Sequence, residues 1–321
     1  MNIGKNSMQS MEPVVLTIRQ INKHNTTFDV FVHHPVVDDA SFLQNPILVQ
    51  SSENGYRIVY GFDFLQTDCQ DDDRIVAYSI PESLDLLSIL ALIVKIQMNK
   101  RALYPVEIGN LLSVAKTFNI PDDDILHRLF PEIKITAQNK LIEQYKSTTS
   151  IQAALREYLI RKNAPLKTWL SVADLNDPER KQIENFIKKF RPTLSVLEEI
   201  MLYLSEIKTR DQKDFAAVLK DLNWEKYFQA GDIAPKDSLA QLRTAVFQKR
   251  YPQLSIHKNT IDSDIKKLDL PNNATLSYDE SFEKKELTLQ WRLRTTKDLK
   301  RLQQLGDDMT IQKIRQIIDK L

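Results

Sequence analysis

The only cysteine of the chain, Cys69, lies between Asp68 and the run Asp71-Asp72-Asp73 and is a candidate nucleophile. Carboxylates beside a thiol raise its pKa, because they disfavour the reactive thiolate. The acidic run could instead attract a divalent cation, but it lacks the glycine and the closing glutamate of an EF-hand loop. A single cysteine excludes an intramolecular disulfide and a cysteine-based zinc cluster. We therefore interpret residues 68–73 as a solvated loop and assign no catalytic residue there.

Histidines and glycines show no spacing typical of a metal site or a phosphate-binding loop. His33 and His34 are adjacent on a predicted strand, so their side chains point to opposite faces and cannot share a metal ion. The other three histidines have no partner at metal-ligand spacing. Among the six glycines only Gly55 and Gly61 are near each other, whereas a phosphate-cradling loop needs several together. The sequence predicts no metal site and no hydrolase of the P-loop type.

Basic residues are concentrated in the middle of the chain. The densest cluster, Arg180-Lys181, Lys188-Lys189 and Arg191, flanks a predicted helix. Because acidic residues are interspersed, a solvated helix face is one interpretation, and sequence-independent contacts to DNA phosphates are the other. A net charge of +1 over 321 residues does not by itself indicate nucleic-acid binding. No apolar run reaches the ~20 residues that span a bilayer and no signal pattern is visible, so we expect a cytoplasmic protein.

The elements that would position these residues change from strands to helices at Pro81. Alternating and β-branched runs predict short strands, which lie at 14–19, 28–33, 46–50, 56–60 and 74–80. From Leu84 to Ile96 apolar residues cover most of a helix, which we expect to be buried. Helical periodicity then continues to about Lys249.

We predict an α+β fold with three domains after a flexible tail at 1–13. A small mixed α/β domain occupies 14–110, an all-helical domain with a helix-turn-helix-like unit occupies 111–250, and an α+β extension occupies 251–321. The final helix carries a stripe of isoleucines that is a candidate dimer interface.

Four segments in the first half of the chain resemble, in order and spacing, the N-terminal domain of ParB-type partition proteins, a domain fold shared with sulfiredoxin. They are Pro46-Ile47-Leu48-Val49, Gly55-Tyr56-Arg57-Ile58-Val59-Tyr60-Gly61, Leu90-Ala91-Leu92-Ile93 with Ile96-Gln97, and Leu103-Tyr104-Pro105-Val106-Glu107. The resemblance covers roughly residues 14 to 165. It implies a small α/β domain that binds CTP with magnesium, followed by a DNA-binding helix-turn-helix.

The chain departs from the family pattern where the nucleotide would bind. After Gly61 the family has an acidic residue and two arginines that grip the triphosphate, and this chain has Phe62, Asp63 and Phe64. In the helix motif the family's magnesium and phosphate ligands are replaced by Val94, Lys95 and Met98, with Gln97 retained. An aliphatic, aromatic and acidic set cannot replace cations around a polyanion. We expect CTP binding to be lost or rebuilt, with Lys95 the one residue that could still meet a phosphate, unless it is simply an exposed lysine.

The helix-turn-helix of the family matches the stretch from Asp124 to Lys146. A helix at 124–130 is followed by a predicted turn at 131–135 and a second helix at 136–146, with Leu141, Ile142 and Tyr145 inward. The residues expected to face DNA are Thr136, Gln138, Asn139 and Lys140, with Lys134 in the turn. The alternative is a helical hairpin with a solvated face.

Three hypotheses remain open from the sequence. The first is a ParB-like DNA-binding protein, dimeric, with an accessory or regulatory role in DNA partition or transcription. The second is a protein-interaction module that does not touch DNA, and the third is a residual nucleotide-binding enzyme. Since the nucleotide ligands of the family are replaced, we expect no enzymatic activity and no cofactor.

Overall fold

The computed structural model of the chain describes residues 11–32, 46–53, 55–63, 70–229, 234–268, 270–279, 282–295, 298 and 308–321, without the side chains of 308–310. The molecule divides into two compact units, Met1–Ser195 and Val196–Leu321. It has a small N-terminal sheet, a large helical region and a two-stranded sheet near the C-terminus, so the predicted α+β class is confirmed. The three-domain division with boundaries at 13, 110 and 250 stays a prediction.

The N-terminal sheet contains β1 (Glu12–Thr17), β2 (Leu48–Ser52), β3 (Gly55–Tyr60) and β4 (Arg74–Ile80) in the order β1-β4-β2-β3. β1 pairs antiparallel with β4 and β2 with β3, while β2 and β4 run parallel. The tight β2–β3 hairpin requires Gly55, which has φ +112°, and a Cβ there would lie 2.4 Å from the Gln20 carbonyl oxygen.

The predicted strand at 28–33 is wrong in its described part, residues 28–32, which are irregular. Phe28 and Val30 alternate with more exposed residues and are buried, as a strand pattern requires. Their segment is held by a helix rather than by a neighbouring strand, because Asn110 Nδ2 donates to Val30 O at 3.1 Å and Val32 N donates to Glu107 Oε1 at 2.8 Å. An alternating burial pattern is therefore not sufficient for a strand, because the backbone also needs a neighbouring strand for its hydrogen bonds.

Helix α1 (Leu86–Lys100) packs on the sheet and is buried on most sides, which confirms the prediction. Asp85 caps its first turn by accepting from Ser88 N at 3.0 Å. The buried residues are Leu87, Ile89, Leu90, Leu92, Ile93, Val94 and Gln97. Because this helix joins the core that β2, β3 and β4 share, its polar residues occupy fixed positions beside the sheet.

The helices that follow complete the first unit. They are α2 (Pro105–Thr117), α3 (Asp122–Asp124), a π-helical turn (Ile125–Leu129), α4 (Phe130–Ile133), α5 (Asn139–Ser147), α6 (Ala153–Arg161), α7 (Leu166–Ala173) and α8 (Asp177–Phe190). From Asp122 to Ile133 the chain is continuously helical, so the turn predicted at 131–135 begins later, at Lys134. Pro131 has no N–H to donate, and it directly follows the π-helical turn, in which Phe130 N–H donates to Ile125 O rather than to the usual i−4 carbonyl.

The second unit is built from helices and a hairpin. Its elements are α9 (Leu194–Asp211), α10 (Phe215–Asp221), α11 (Lys226–Gln229), α12 (Pro235–Arg250), α13 (Pro252–Lys266), β5 (Ala274–Tyr278), β6 (Leu287–Trp291) and α14 (Asp308–Lys320). β5 and β6 pair antiparallel. In α14, Ile317 is 2% exposed and packs with Ile261 and Leu268, whereas Ile311 is 52% exposed. Part of the isoleucine stripe is therefore used within the chain.

No helix within the described ranges combines the length and the apolar content needed to cross a membrane.

Candidate nucleic-acid interface

The residues at the positions where the resemblance would place nucleotide ligands lie where β3 ends beside α1. Gly61 follows β3 with φ +93°, and a Cβ there would lie 3.1 Å from Pro46 O. Phe62 is buried in the hydrophobic core, and Asp63 is close enough to raise the pKa of Tyr60. Phe64 lies outside the described residues. The structure therefore brings Gly61, Phe62 and Asp63 to the edge of the sheet next to the helix.

A chain of hydrogen bonds joins the end of β3 to the end of α1. Lys100 Nζ donates to Tyr60 Oη at 2.7 Å, and Tyr60 Oη donates to Gln97 Oε1 at 2.7 Å. Burial and the nearby Asp63 carboxylate raise the pKa of Tyr60 far above its usual range, so the hydroxyl stays protonated. Burial lowers the pKa of Lys100. The Oε1 atom of Gln97 is thus engaged by a tyrosine of the same chain.

A second polar contact, between Arg101 and Glu107, links the end of α1 to α2. Arg101 donates from both terminal nitrogens to the Glu107 carboxylate, at 2.8 and 2.6 Å. Glu107 is fully buried and also accepts from the backbone N–H groups of Val32 and Tyr104, each at 2.8 Å. A buried carboxylate is tolerated when an arginine and N–H donors satisfy its oxygens. These bonds hold the 28–32 segment, the end of α1 and the start of α2 together.

Lys95 is separated from this network. Its ammonium lies 3.0 Å from Glu132 Oε1 of α4, and therefore on a different side of α1 from Gln97. The structure groups Gly61, Phe62, Asp63 and Gln97, but it places Lys95 with the helical segment. Two cations lie beside Tyr60 and Asp63, namely Lys100 and Arg101, and sequence reasoning singled out neither of them.

The second predicted site, the two-helix segment from Asp124 to Lys146, corresponds in the structure to the helical stretch Asp122–Ile133 followed by α5 (Asn139–Ser147). The apolar face of α5 packs inward through Leu141, Ile142 and Tyr145, as predicted. α2 crosses α5 closely because Gly109 has no side chain, and a Cβ there would lie 2.4 Å from Tyr145 O and 2.9 Å from Thr149 Cγ2. With its inner face fixed on α2, α5 presents its other face to solvent.

The predicted DNA-facing residues all lie on the surface at the N-terminal end of α5 or just before it. Thr136, Gln138, Asn139, Lys140 and Lys134 are exposed. Gln138 is the N-cap residue, yet its side chain makes no capping bond. Within the described part of the chain, none of the five side chains forms a hydrogen bond or an ion pair. Their polar groups are therefore available to a partner.

Lys134 explains how the turn forms without the glycine that the family often has there. It ends α4 in the left-handed conformation, φ 62° and ψ 38°, and its N–H donates to Pro131 O at 3.1 Å. A non-glycine residue carries a steric cost in this region, although single residues do adopt it. The residues from Ile135 to Gln138 then lead into α5.

The basic cluster of the sequence is only partly on the surface. Arg180 is buried and donates to Ser150 O at 2.9 Å and Ala173 O at 2.6 Å, so it ties α7 and the turn before α6 together. Lys181 and Lys188 both contact Glu184. Lys189 and Arg191 are exposed. Arg180 is therefore a structural residue, which its position in a basic run did not reveal.

Other candidate sites stay without support. Cys69, His33 and His34 lie outside the described residues. Among the residues that the structure does describe, no group of three or more His, Cys, Asp or Glu side chains could hold a metal ion.

The arrangement is that of an α+β protein with a closed polar network beside its sheet and an open polar surface on its helices. No protein-family model matches the chain, and no curated protein matches it. Among solved structures it is similar to the crystal structure of the C-terminally truncated chromosome-partitioning protein ParB from Caulobacter crescentus, complexed to the centromeric parS site. The identity is 14% and the TM-score 0.28, and the match covers 53% of this chain and 94% of that one. The similarity to ParB is thus distant.

Proposed function

We propose that the chain is a ParB-like DNA-binding protein that reads duplex DNA with the 122–147 helix-turn-helix and catalyses no reaction. The observation that carries the proposal is the set of five exposed polar side chains at 134–140, none engaged within the described chain. They lie at the N-terminal end of a helix whose opposite face is packed on α2. A recognition helix presents its N-terminal residues to base edges in this way.

The residue types at this end of α5 suit both kinds of DNA contact. Asn139 and Gln138 can each accept and donate in the bidentate geometry that recognises adenine in the major groove. Lys134 and Lys140 can neutralise phosphates, and the positive end of the α5 dipole adds to their attraction. Phosphate contacts would fix the register of the helix, and the amides would supply sequence preference.

The proposed biological role is accessory or regulatory, in DNA partition or transcription, as a homodimer on paired half-sites. A two-fold dimer would match a palindromic site. In the isoleucine stripe of α14, Ile317 already packs within the chain and Ile311 is exposed. Of these two isoleucines, only Ile311 is free to contribute to a dimer contact.

We further propose that neither CTP with magnesium nor another nucleotide is a cofactor. The two cations beside Tyr60, Lys100 and Arg101, lie close to Asp63 and Glu107 respectively. An incoming triphosphate would have to displace these carboxylates or bind beside them, and both alternatives carry a large electrostatic cost.

The test is a titration of duplex DNA against salt with two variants of α5. The double variant Asn139→Ala/Lys140→Gln should bind a selected site about 10- to 100-fold more weakly, because a bidentate base contact contributes about 1–3 kcal/mol. The matched control Gln144→Ala/Lys146→Gln changes an amide and a lysine at the other end of the same helix and should bind like the wild type. Absence of wild-type binding at low salt would overturn the proposal.

A protein-interaction module is the second candidate, and one surface of the sheet favours it. Val15 and Val76 are partners across β1 and β4, and they are 65% and 62% exposed. Tyr78, two residues along β4, is also exposed. An apolar strip of this kind is typical of a protein contact. If DNA binding is absent, this strip becomes the leading candidate for function.

A further inference from the structure

A groove of about 530 Å³ lies between α6 and α8, apart from the 134–140 surface. One wall runs along the whole of α6 as far as Lys162, and the other comes from the C-terminal end of α8. The lining residues are Ala154, Glu157, Tyr158, Arg161, Lys162, Ile187, Lys188 and Arg191. The groove is thus large enough for several phosphate and sugar groups, and it lies within the first compact unit.

The rim of the groove is strongly cationic. It carries four cations, Arg161, Lys162, Lys188 and Arg191, against the single carboxylate of Glu157. Arg161 contacts Glu157 only at 3.9 Å, and Lys188 is paired with Glu184. Within the described residues Lys162 and Arg191 have no carboxylate partner. An anion in the groove would therefore meet two cations that are not neutralised by the protein.

The floor of the groove is apolar and fixed. Tyr158 is buried, and its hydroxyl donates to Pro192 O at 3.0 Å, just beyond the end of α8. Ala154 and Ile187 complete the floor. The cations are thus held at the mouth of a rigid surface whose lining has no asparagine or glutamine to read a base edge. Such a lining suits the sugar–phosphate backbone, which carries no sequence information.

We propose that this groove binds the phosphodiester backbone of DNA through Lys162 and Arg191, as a sequence-independent contact that adds to the 134–140 surface. This inference rests on the proposed DNA-binding function. Both residues follow the last turn of a helix, where a cation also stabilises the helix dipole. The negative ends of the two helix dipoles, each roughly half a charge, offset part of this cationic charge, but four cations against one carboxylate leave the groove net positive.

The test compares the double variant Lys162→Gln/Arg191→Asn with the control Lys220→Gln/Lys236→Gln. Asparagine is chosen because Arg191 has φ 45°, a left-handed conformation that asparagine tolerates. The control removes two exposed cations from the second unit, α10 and α12. Each protein is titrated with a selected duplex and a random duplex across a salt series, and circular dichroism checks that all variants are folded.

The groove variant should lose affinity for both duplexes equally, by about tenfold, and the slope of log affinity against log salt should fall by about two. The control should follow the wild type. If wild type, control and groove variant bind identically, the groove inference fails while DNA binding stands, and an acidic protein segment becomes the candidate ligand. A loss confined to the selected duplex would also overturn it. If the wild type binds neither duplex at low salt, both the groove and the proposed function fail.

Should the double variant melt early, Lys162→Gln alone keeps the end of α8 intact. It is expected to lower the salt slope by about one for both duplexes, and an unchanged slope would overturn the inference.

Discussion

Two polar regions of the first unit differ in whether their charged side chains have partners within the protein. Beside the sheet, Arg101 is bound to the buried Glu107, and Lys100 to the hydroxyl of Tyr60. At the start of α5, Lys134 and Lys140 engage nothing within the described chain. A charged group that has found a partner inside the protein contributes to the fold, whereas one left in water keeps its capacity to bind. The charges beside the sheet therefore stabilise the fold, whereas those at the start of α5 remain available to bind a ligand.

The largest expected effect comes from breaking the closed network at Glu107. Glu107→Ala would leave the N–H groups of Val32 and Tyr104 without their acceptor and Arg101 without its carboxylate partner, so the free energy of unfolding should fall by about 3–5 kcal/mol. Denaturant unfolding measures it. Glu143→Ala is the control, because Glu143 is exposed and its one ion pair among the described residues is with Lys146, so its change should stay within about 0.5 kcal/mol. Equal midpoints for the two variants would show that the buried network is not what stabilises this region.

The next largest effect is expected at Gly109, where α2 and α5 are in close contact. Alanine is the better helix former by about 1 kcal/mol, so propensity alone predicts that Gly109→Ala stabilises α2. The new Cβ would lie 2.4 Å from the backbone oxygen of Tyr145, which cannot rotate away. We expect the clash to win and to destabilise the protein by about 1–3 kcal/mol, with weaker DNA binding as α5 shifts.

Ser113→Ala serves as the control for Gly109→Ala, since Ser113 is on the same helix and its hydroxyl donates to the carbonyl of Gly109, one turn earlier in α2. Its unfolding midpoint and DNA affinity should stay near those of the wild type. A Gly109→Ala protein more stable than the wild type would contradict the close crossing of α2 and α5.

At Lys134 we expect a smaller effect, in which one substitution changes protein stability and DNA binding in different directions. Lys134→Gly relieves the steric cost of φ 62°, so stability should stay equal or rise by up to about 1 kcal/mol. The same change removes a proposed phosphate contact, so the salt slope of DNA binding should fall by about one. Lys134→Ala removes the charge but keeps the strained conformation, and it should lose DNA affinity without the gain in stability. Wild-type binding by both variants would remove Lys134 from the interface.

Sequence patterns predicted those features that depend on local periodicity. The burial of α1 follows from apolar residues on most sides of the helix, and the inward face of α5 follows from Leu141, Ile142 and Tyr145 at helical spacing. The turn was predicted too early, at Pro131, because proline in a helical pattern indicates a break, whereas in the structure the helix continues past Pro131 to Ile133.

Contacts between distant parts of the chain were beyond sequence reasoning. The segment at 28–32 has the alternation of a strand, but Asn110 and Glu107 of α2 bind its backbone instead. Arg180 appears in a basic run, yet it donates to main-chain carbonyls inside the helical body. The segment at 28–32 and its partners in α2 are 75 or more residues apart in the sequence. Local periodicity carries no information about contacts at that separation.

The smallest expected effect is the response to nucleotide, which should be nil. A ligand at 100 times its dissociation constant stabilises a protein by about 2.7 kcal/mol, which raises the melting temperature by several degrees. With 1 mM CTP and magnesium, any dissociation constant below about 10 μM would therefore be visible as a shift. We expect none for CTP or ATP, because the protein's own carboxylates, Asp63 and Glu107, already lie beside Lys100 and Arg101.

Asp63→Asn sharpens the nucleotide test, since it removes the carboxylate nearest Lys100 and leaves Arg101 paired with Glu107. If the charge of Asp63 is what excludes phosphate, this variant alone should gain a nucleotide-dependent rise in melting temperature. A rise already present in the wild type would mean that the region beside α1 still binds nucleotide. In that case the hydrogen-bonded network beside the sheet would not be closed to ligands, and its contrast with the start of α5 would be wrong.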